Sequence, residues 1–423
     1  MRLAVIVSEF PKTSETFVLR DLLAFHELGA EVRIYYLAPY RHGETVHDFA
    51  RPVLEWVHHE AMIRSRTVWA GTSQALRHQG GTLARTVGRM ATGFRREPER
   101  LAKSLALMPK ILALAADAQA WGADHIHATF AAHPATAAWI IGRLTGIPYS
   151  VSCHAHDIFT THALLDAKLG EAAFVRTISD FNKTYLTRHV PGLHPDRIKI
   201  IRCGMDLREL QPLPAKPRGA QFEILFVGRL APQKGIDVLL RALAVAPRHW
   251  RLDIMGDGPE GDRLKTLADR LGVGERVRWH GSCRFEDIAR AYATADVIAA
   301  PSIIGPGGRT EGIPNVLMEA LACGRPVVAS RVSGVPELVV DGVSGLLVPP
   351  GNVEALVAAL RRIEDDPAHA AAMAQAGRRM IEQHYDLKVT AASQFNAFLH
   401  HRHRAQGAPA TTPATAIDPQ SSS

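Results

Sequence analysis

Phe226-Val-Gly-Arg-Leu-Ala-Pro-Gln-Lys-Gly235 decides the fold. An apolar run ends at Gly228, and a glycine-bounded loop carrying Arg229 and Lys234 follows it. A strand that ends in a glycine loop before a helical pattern is the opening of a βα unit. The same alternation recurs in both directions from this point. Short apolar runs predict strands at 3–7, 32–37, 125–129, 150–153, 175–179 and 198–203 in the first half. In the second half they fall at 223–228, 251–256, 277–281, 297–302, 326–330 and 345–348. Amphipathic segments such as 264–271 and 353–363 lie between them. Alternating β and α elements imply parallel sheets covered on both faces by helices.

With 423 residues the chain has length for two domains, each with its own core. The segment 211–220, rich in proline, reads as the linker between a first domain at 1–210 and a second at 221–385. Helical spacing predicts a C-terminal helix at 386–402 that the pattern alone does not place, with the first domain as one surface open to it, and 403–423 has the composition of a disordered tail. Hydrophobic residues make up 47% and charged residues 22%, the balance of an ordinary globular protein. The formal net charge of +7 favours acidic partners without choosing among phosphates, nucleic acid and an anionic membrane. Four widely separated cysteines form no Cys-x-x-Cys motif and suit a reducing compartment. The apolar run at 3–7 is too short for a signal peptide or a spanning helix, so a cytoplasmic protein is expected.

The stretch 51–110 carries Arg64, Arg66, Arg77, Arg85, Arg89, Arg95, Arg96, Arg100, Lys103 and Lys110 against few acids. Trp56, Trp69, Phe94 and many aliphatic residues are interleaved with them. That pattern suits a helix lying on an anionic membrane, which would place the protein peripherally at the inner face of the cell membrane. It equally suits a solvated helix packed on the domain core.

The chemistry is carried by Glu311-Gly-Ile-Pro-Asn-Val-Leu-Met-Glu319. Pro314 suits the first turn of a helix, with Glu311 in the loop before it and Glu319 on its second turn. The free N–H groups of Gly312, Ile313, Asn315 and Val316 would offer an anion site. Two carboxylates flanking such a site suit the hydroxyls of a phosphorylated sugar, although acids near a helix N-terminus are also favourable without any ligand. Arg229 and Lys234 suit a diphosphate, the first by a forked contact and the second as a point charge. Gly256-Asp-Gly-Pro-Glu-Gly261 fits a dinucleotide-loop pattern, but the acid expected at the end of the next strand is replaced by His280 and Gly281. We read Gly256 and Gly258 as backing a nucleotide, with Arg284 near its base. The scattered histidines form no ligand set with carboxylates, so no metal site is expected.

Over nearly the whole chain up to about His400, and most specifically across 226–348, the sequence resembles glycosyltransferase family 4, whose members have the GT-B fold of two Rossmann-like domains facing each other across a cleft. The resemblance implies that Arg229 and Lys234 stabilise the departing nucleotide diphosphate, that Glu311 contacts the donor sugar and that Glu319 binds the ribose. Gly228, Gly312, Ile313, Pro314 and Asn315 would complete the donor site. Phe10-Pro-Lys-Thr-Ser-Glu-Thr-Phe-Val18, His125-Ile-His-Ala-Thr-Phe130 and Ser152-Cys-His-Ala-His-Asp-Ile-Phe159 are similar to the colanic acid branch of exopolysaccharide transferases. There a histidine approaches the donor sugar. His154 aligns best with it, His156 competes, and Asp157 closes the motif. Ser14, Glu15 and Thr16 occupy the place where many relatives have paired glycines, and are expected to contact ligand from the first loop. The resemblance implies a retaining, metal-independent hexosyl transfer without a cofactor. Its co-substrate would be a UDP- or GDP-linked sugar and its acceptor a lipid-linked saccharide, with no nucleic acid as partner. A sugar-nucleotide epimerase and a non-catalytic nucleotide-sugar-binding protein share the same nucleotide site and are the competing readings.

Overall fold

The structure, a computed structural model, describes residues 1–402 except 13–14, 43–47, 61, 63–64, 215, 217–218 and 306–309, and of His156 and Phe285 only the backbone. Ser14, Arg64 and the tail at 403–423 therefore lie outside the described residues.

The first domain runs β1 (Arg2–Val7), α1 (Thr16–Glu27), β2 (Glu31–Tyr36), α2 (Arg66–Gly93), α3 (Pro98–Trp121), β3 (His125–Ala128) and α4 (His133–Thr145). It continues with β4 (Tyr149–Cys153), α5 (Ala155–Phe159), α6 (Leu165–Gly170), β5 (Phe174–Thr177), α7 (Asp180–His189) and β6 (Ile198–Ile200). The second runs β7 (Phe222–Val227), α8 (Ile236–Val245), β8 (Trp250–Met255), α9 (Gly261–Arg270), β9 (Val277–Gly281) and α10 (Phe285–Thr294). After it come β10 (Val297–Ala300), α11 (Asn315–Ala322), β11 (Val327–Ser330), α12 (Val335–Leu338), β12 (Leu346–Val348), α13 (Val353–Asp365) and α14 (Pro367–His384). The chain closes with α15 (Leu387–His400).

Each domain holds a six-stranded sheet with parallel pairings, in the orders β2-β1-β3-β4-β5-β6 and β12-β11-β10-β7-β8-β9. The strands read as near-continuous apolar runs because helices cover both faces; Leu3, Val5, Val151, Val297 and Val328 are wholly buried. In both sheets the strand order reverses once, between β1 and β3 and between β7 and β10. Ligands of open α/β sheets gather at the carboxyl ends of the strands beside such a reversal. The two Rossmann-like domains make this the GT-B fold.

The basic stretch resolves into a short 3-10 segment (Asp48–Trp56) and the long helices α2 and α3, packed as a hairpin. Most of its bulky residues turn inward: Val68, Leu83, Met90, Phe94 and Met108 are buried. Lys110 is buried too, its ammonium 4.0 Å from the centre of the Tyr36 ring, and burial pushes it down to about 8. It thus belongs to the core side of the hairpin and not to a charged face. Arg89 pairs with Asp166, and Arg100 with Glu97. The outward side keeps Arg66, Arg77, Arg85, Arg95, Arg96 and Lys103 exposed, together with Trp69 (57%) and Leu76 (58%).

Two crossings join the domains. The chain passes into the second domain after β6, and it returns after α14. They lie side by side: Met205 N–H donates to the Tyr385 carbonyl at 2.7 Å, and Leu387 N–H donates to the Met205 carbonyl at 3.0 Å. A Cβ on Gly204 would stand 2.6 Å from Leu387 Cα, so only glycine lets the crossings approach this closely. Helix α15 then packs on α1, burying Ala391, Phe395 and Phe398 against the first sheet. Gln394 reaches into a polar layer there. Its side-chain amide bonds His127 Nε2 at 3.1 Å, and its carbonyl accepts from Arg176. Arg176 also donates to Asp21 of α1 at 2.7 Å. Burial pushes His125 down to about 3 and His127 well below the usual imidazole range, so both are neutral here.

Candidate functional site

The carboxyl ends of β7, β8 and β10 meet backbone to backbone. Gly228 N–H donates to the Met255 carbonyl at 2.9 Å, Leu230 N–H to Asp257 at 2.9 Å and Ile303 N–H to Gln233 at 2.9 Å. The glycines make that contact possible. A Cβ on Gly256 would lie 2.0 Å from the Gly228 oxygen, and one on Gly258 2.4 Å from the Leu230 oxygen. The Gly-x-Gly pattern after β8 thus packs against the loop after β7, holding that loop in place.

Three groups project from this junction. Lys234 forms an ion pair with Glu311, and both side chains are largely shielded from solvent. Ser302, just past β10, donates its hydroxyl to the other Glu311 oxygen at 2.8 Å. Arg229 is exposed and makes no ion pair among the described residues. The loop after β7 therefore presents two cations, one held on a carboxylate and one facing solvent.

Helix α11 begins at Asn315, with Pro314 as the residue before its first turn. Proline thus sits one position earlier than the sequence reading places it, with an extended backbone (φ −63°, ψ 128°) that turns the loop into the helix. Ile313 is buried and Asn315 is exposed. Glu319 lies on the second turn, partly exposed. Its Oε2 accepts from the Tyr292 hydroxyl of α10 at 2.8 Å. Burial raises the Glu319 carboxyl above its usual range, against the Tyr292 hydrogen bond and the positive charge of Arg20 on α1. Arg284 caps α10, stands out in solvent and contacts Asp287 of its own helix at 3.7 Å. No described contact joins it to the Lys234–Glu311 group.

The first domain meets this loop directly. A Cβ on Gly312 would lie 3.3 Å from Ala155 Cβ and 3.0 Å from Ile178 Cδ1. Ala155 follows His154, which lies between the rings of Phe17 and Phe130 at centroid distances of 5.2 and 5.0 Å. That enclosure pushes the imidazole down to about 3, so His154 is neutral at physiological pH. Asp157 turns inward: its oxygens accept from the backbone N–H of Ala131 at 2.6 Å and of His154 at 2.8 Å. Burial raises it to about 7, while those hydrogen bonds act against the shift. Its place is that of a clamp on the His154 turn. Glu15 precedes α1 and pairs with Lys12 at 2.8 Å, and Thr16 opens the helix.

A further interdomain contact has no signal in the sequence pattern. Glu337 of α12 accepts from the backbone N–H groups of Asp180 and Phe181, both at 2.9 Å. A carboxylate from the second domain thus caps the N-terminus of α7 in the first, where the free N–H groups and the helix dipole favour negative charge. Gly334 packs on Ser179 beside it. A cavity of about 860 Å³ lies elsewhere, between the linker and α14, and none of the groups above lines it.

Comparison with known proteins supplies the context. Residues 212–380 match the family model described as glycosyl transferases group 1. A putative colanic acid biosynthesis glycosyltransferase of Escherichia coli is 28% identical over 405 residues, covering 92% of this chain and 97% of that protein. The amylovoran biosynthesis glycosyltransferase AmsK of Erwinia amylovora is 27% identical over 415 residues, with the same coverage of 92% and 97%. Among solved structures, Anabaena Alr3699/HepE in complex with UDP superposes with a TM-score of 0.70 at 20% identity, covering 94% of this chain and 99% of that one. The group 1 domain, the full-length relatives and the fold agree: the chain is a glycosyltransferase of GT-B fold.

Proposed function

We propose that this protein is a retaining, metal-independent hexosyltransferase of family 4. It moves a sugar from a UDP- or GDP-linked donor to a lipid-linked saccharide acceptor in exopolysaccharide biosynthesis. The observation that carries the reading is the meeting of Lys234 and Glu311 at the strand-order reversal of the second sheet, with Arg229 beside them and Ala155 across the cleft. The names of the two full-length relatives, in colanic acid and amylovoran biosynthesis, support the polymer assignment. The UDP held by the Anabaena protein supports a nucleotide donor.

In this reading Arg229 and Lys234 neutralise the leaving diphosphate, a preorganised electrostatic role. Glu311, oriented by Ser302, holds hydroxyls of the donor sugar. Glu319 holds the ribose while Tyr292 fixes its rotamer. His154, neutral, offers a hydrogen bond to the donor sugar from the other domain. Leaving group and acceptor hydroxyl share one face of an oxocarbenium-like centre. The acceptor's lipid would sit in an anionic membrane against the exposed side of α2 and α3. No helix among the described residues is long and apolar enough to cross that membrane, so attachment would be peripheral.

Mass spectrometry of a UDP- and GDP-sugar panel, with and without polyprenyl-diphosphate-linked saccharides, tests the assignment. Transfer supports it. An isomerised donor would point to an epimerase, and an unchanged donor across the panel would leave only binding.

A further inference from the structure

Next to the cleft, α7 carries Phe181, Tyr185 and His189 at intervals of four, a single helical face. Phe159 at the end of α5 and His162 in the following loop close on that face. Phe159 meets Phe181 and Tyr185 edge-on at 6.0 and 4.7 Å. His189 stacks on Tyr185 at 4.1 Å and on His162 at 5.3 Å. His162 Nε2 and the Tyr185 hydroxyl are 2.8 Å apart. Phe159 and Tyr185 pack partly on the core of the first domain. Phe181 is 41% exposed, and His162 and His189 are exposed as well. The row is an open strip of ring faces and edges with polar nitrogen and oxygen atoms set among them.

Its two ends give it meaning. At one end the Phe181 N–H is held by Glu337 of the opposite domain, and Ile178, three residues earlier, touches Gly312 beside Glu311. At the other, the loop bearing His162 packs on the α2–α3 turn: Thr161 bonds Glu97, and Leu164 fills the space over Gly93. The strip therefore runs from the donor loop toward the basic hairpin, along the domain that faces the donor.

We propose that this strip binds the acceptor saccharide, one pyranose laying its face of axial C–H groups on Phe181 while His162, the Tyr185 hydroxyl and Nε2 of His189, whose Nδ1 is held by the Tyr185 carbonyl at 2.9 Å, take its hydroxyls. An apolar ring with polar atoms at its margin matches a sugar, which is apolar on its faces and polar on its rim. A lipid tail would want a continuous apolar surface without the imidazoles. The inference rests on the glycosyl-transfer reading and names the place where that reaction's second substrate is held.

Saturation-transfer NMR on the full chain, with methyl α- and β-glucopyranosides, galactopyranosides and mannopyranosides as probes, tests it. At least one glycoside should receive saturation at its axial C–H protons, and the signal should persist in Glu311→Gln, which perturbs the donor-sugar side. In Phe181→Ala and in His162→Ala/His189→Ala, all exposed positions, binding should weaken at least ~2-fold, the low end of what one aromatic contact contributes. Thermal melting of each variant confirms that it is folded, and Phe181→Leu, which keeps bulk but loses the ring, stands in should Phe181→Ala melt early. No signal from any glycoside with wild type, or equal signals in wild type and both folded variants, overturns the proposal. Signal lost in Glu311→Gln instead would place the sugar in the donor site and also overturn it. Calorimetry with UDP and GDP on the same samples examines the donor reading separately: absence of nucleotide binding would sink that reading while the glycoside signals still decide this one.

Discussion

Replacing Glu319 with glutamine should make the ligand-free protein more stable and its nucleotide binding weaker. Glu319 accepts from the Tyr292 hydroxyl at 2.8 Å, and the opposing positive charge that acts on it is Arg20 of the other domain. Burial dominates, so the folded carboxyl is raised above its ordinary value of 4.5. The sign follows from linkage. A raised carboxyl contributes its full stability below the unfolded value, and that contribution is lost as pH rises through the folded value. Above the unfolded value folding therefore works against the ionisation of this carboxyl, a cost that the amide removes. Glutamine keeps the acceptor for Tyr292 but gives up the charged contact to a ribose. A hydrogen bond to a charged group contributes about 1.5–3 kcal/mol, so nucleotide affinity should fall roughly 10- to 150-fold. Calorimetry with UDP and GDP measures the loss. Melting at pH 4 and pH 7 measures the stability arm, where the advantage of Glu319→Gln should be larger at pH 7. An unchanged Kd for the nucleotide that wild type binds, or a variant that melts lower at pH 7 than wild type, refutes the reasoning.

Arg229→Ala and Lys234→Ala should each lower turnover by at least ~10-fold for the loss of a charged contact, read as initial transfer rates; wild-type rates in the folded double variant would remove the diphosphate role. Gly256→Ala should lose at least ~2 kcal/mol of stability in denaturant unfolding, because its Cβ meets the Gly228 oxygen at 2.0 Å and the backbone sits at φ 142°. The buried, depressed imidazoles of His125 and His127 make stability fall as pH drops below the unfolded value near 6.5, by up to about 1.4 kcal/mol per pH unit for each. Melting temperatures from pH 7.5 to 5 should show that slope, and a flat profile would contradict it. Arg77, Arg85, Arg95 and Arg96 changed together to Gln should weaken co-sedimentation with phosphatidylglycerol vesicles at low salt by about 4 kcal/mol at most, while wild-type binding to pure phosphatidylcholine stays weak. Equal wild-type binding to both vesicles would dismiss electrostatic docking.

The strands are visible in the sequence because those at the middle of each sheet, such as β1, β4, β10 and β11, are buried on both faces and leave short apolar runs, and the edge strand β9 follows from its place in the βα alternation. Lys234 and Glu311, grouped by motif, do meet, since each follows a strand beside the same reversal in strand order. The basic stretch is ambiguous in sequence. Apolar residues at helical spacing look alike whether they face lipid or a core, and only the fold shows Val68, Leu83 and Met90 turned inward while Trp69 and Leu76 are not. Glu337 on the α7 N-terminus pairs residues more than 150 positions apart, and neither its sequence neighbours nor its spacing marks it. The ring strip is equally silent in sequence, because Phe159 and His162 come from a different segment than Phe181, Tyr185 and His189. Pro314 shows the smaller limit: motif reasoning finds the helix start to within one residue.

The return of α15 to the first domain bears on how such a protein can be recombined. The half that carries the ring strip is not a contiguous piece of chain; it is the first two hundred residues or so plus a helix encoded at the far end. A chimera that joins a new acceptor half to this donor half at the crossing near Met205 alone would pair foreign α1 with native α15. Phe395, Phe398 and Gln394 would then meet a surface they were not shaped for. Grafting both segments together, with junctions at Gly204 and Asp386, keeps the α1–α15 seam native. Exchange of acceptor specificity between relatives should therefore succeed as a two-site splice and fail as a single one, and gene fragments that travel by one crossover would carry a donor half without the helix its partner needs.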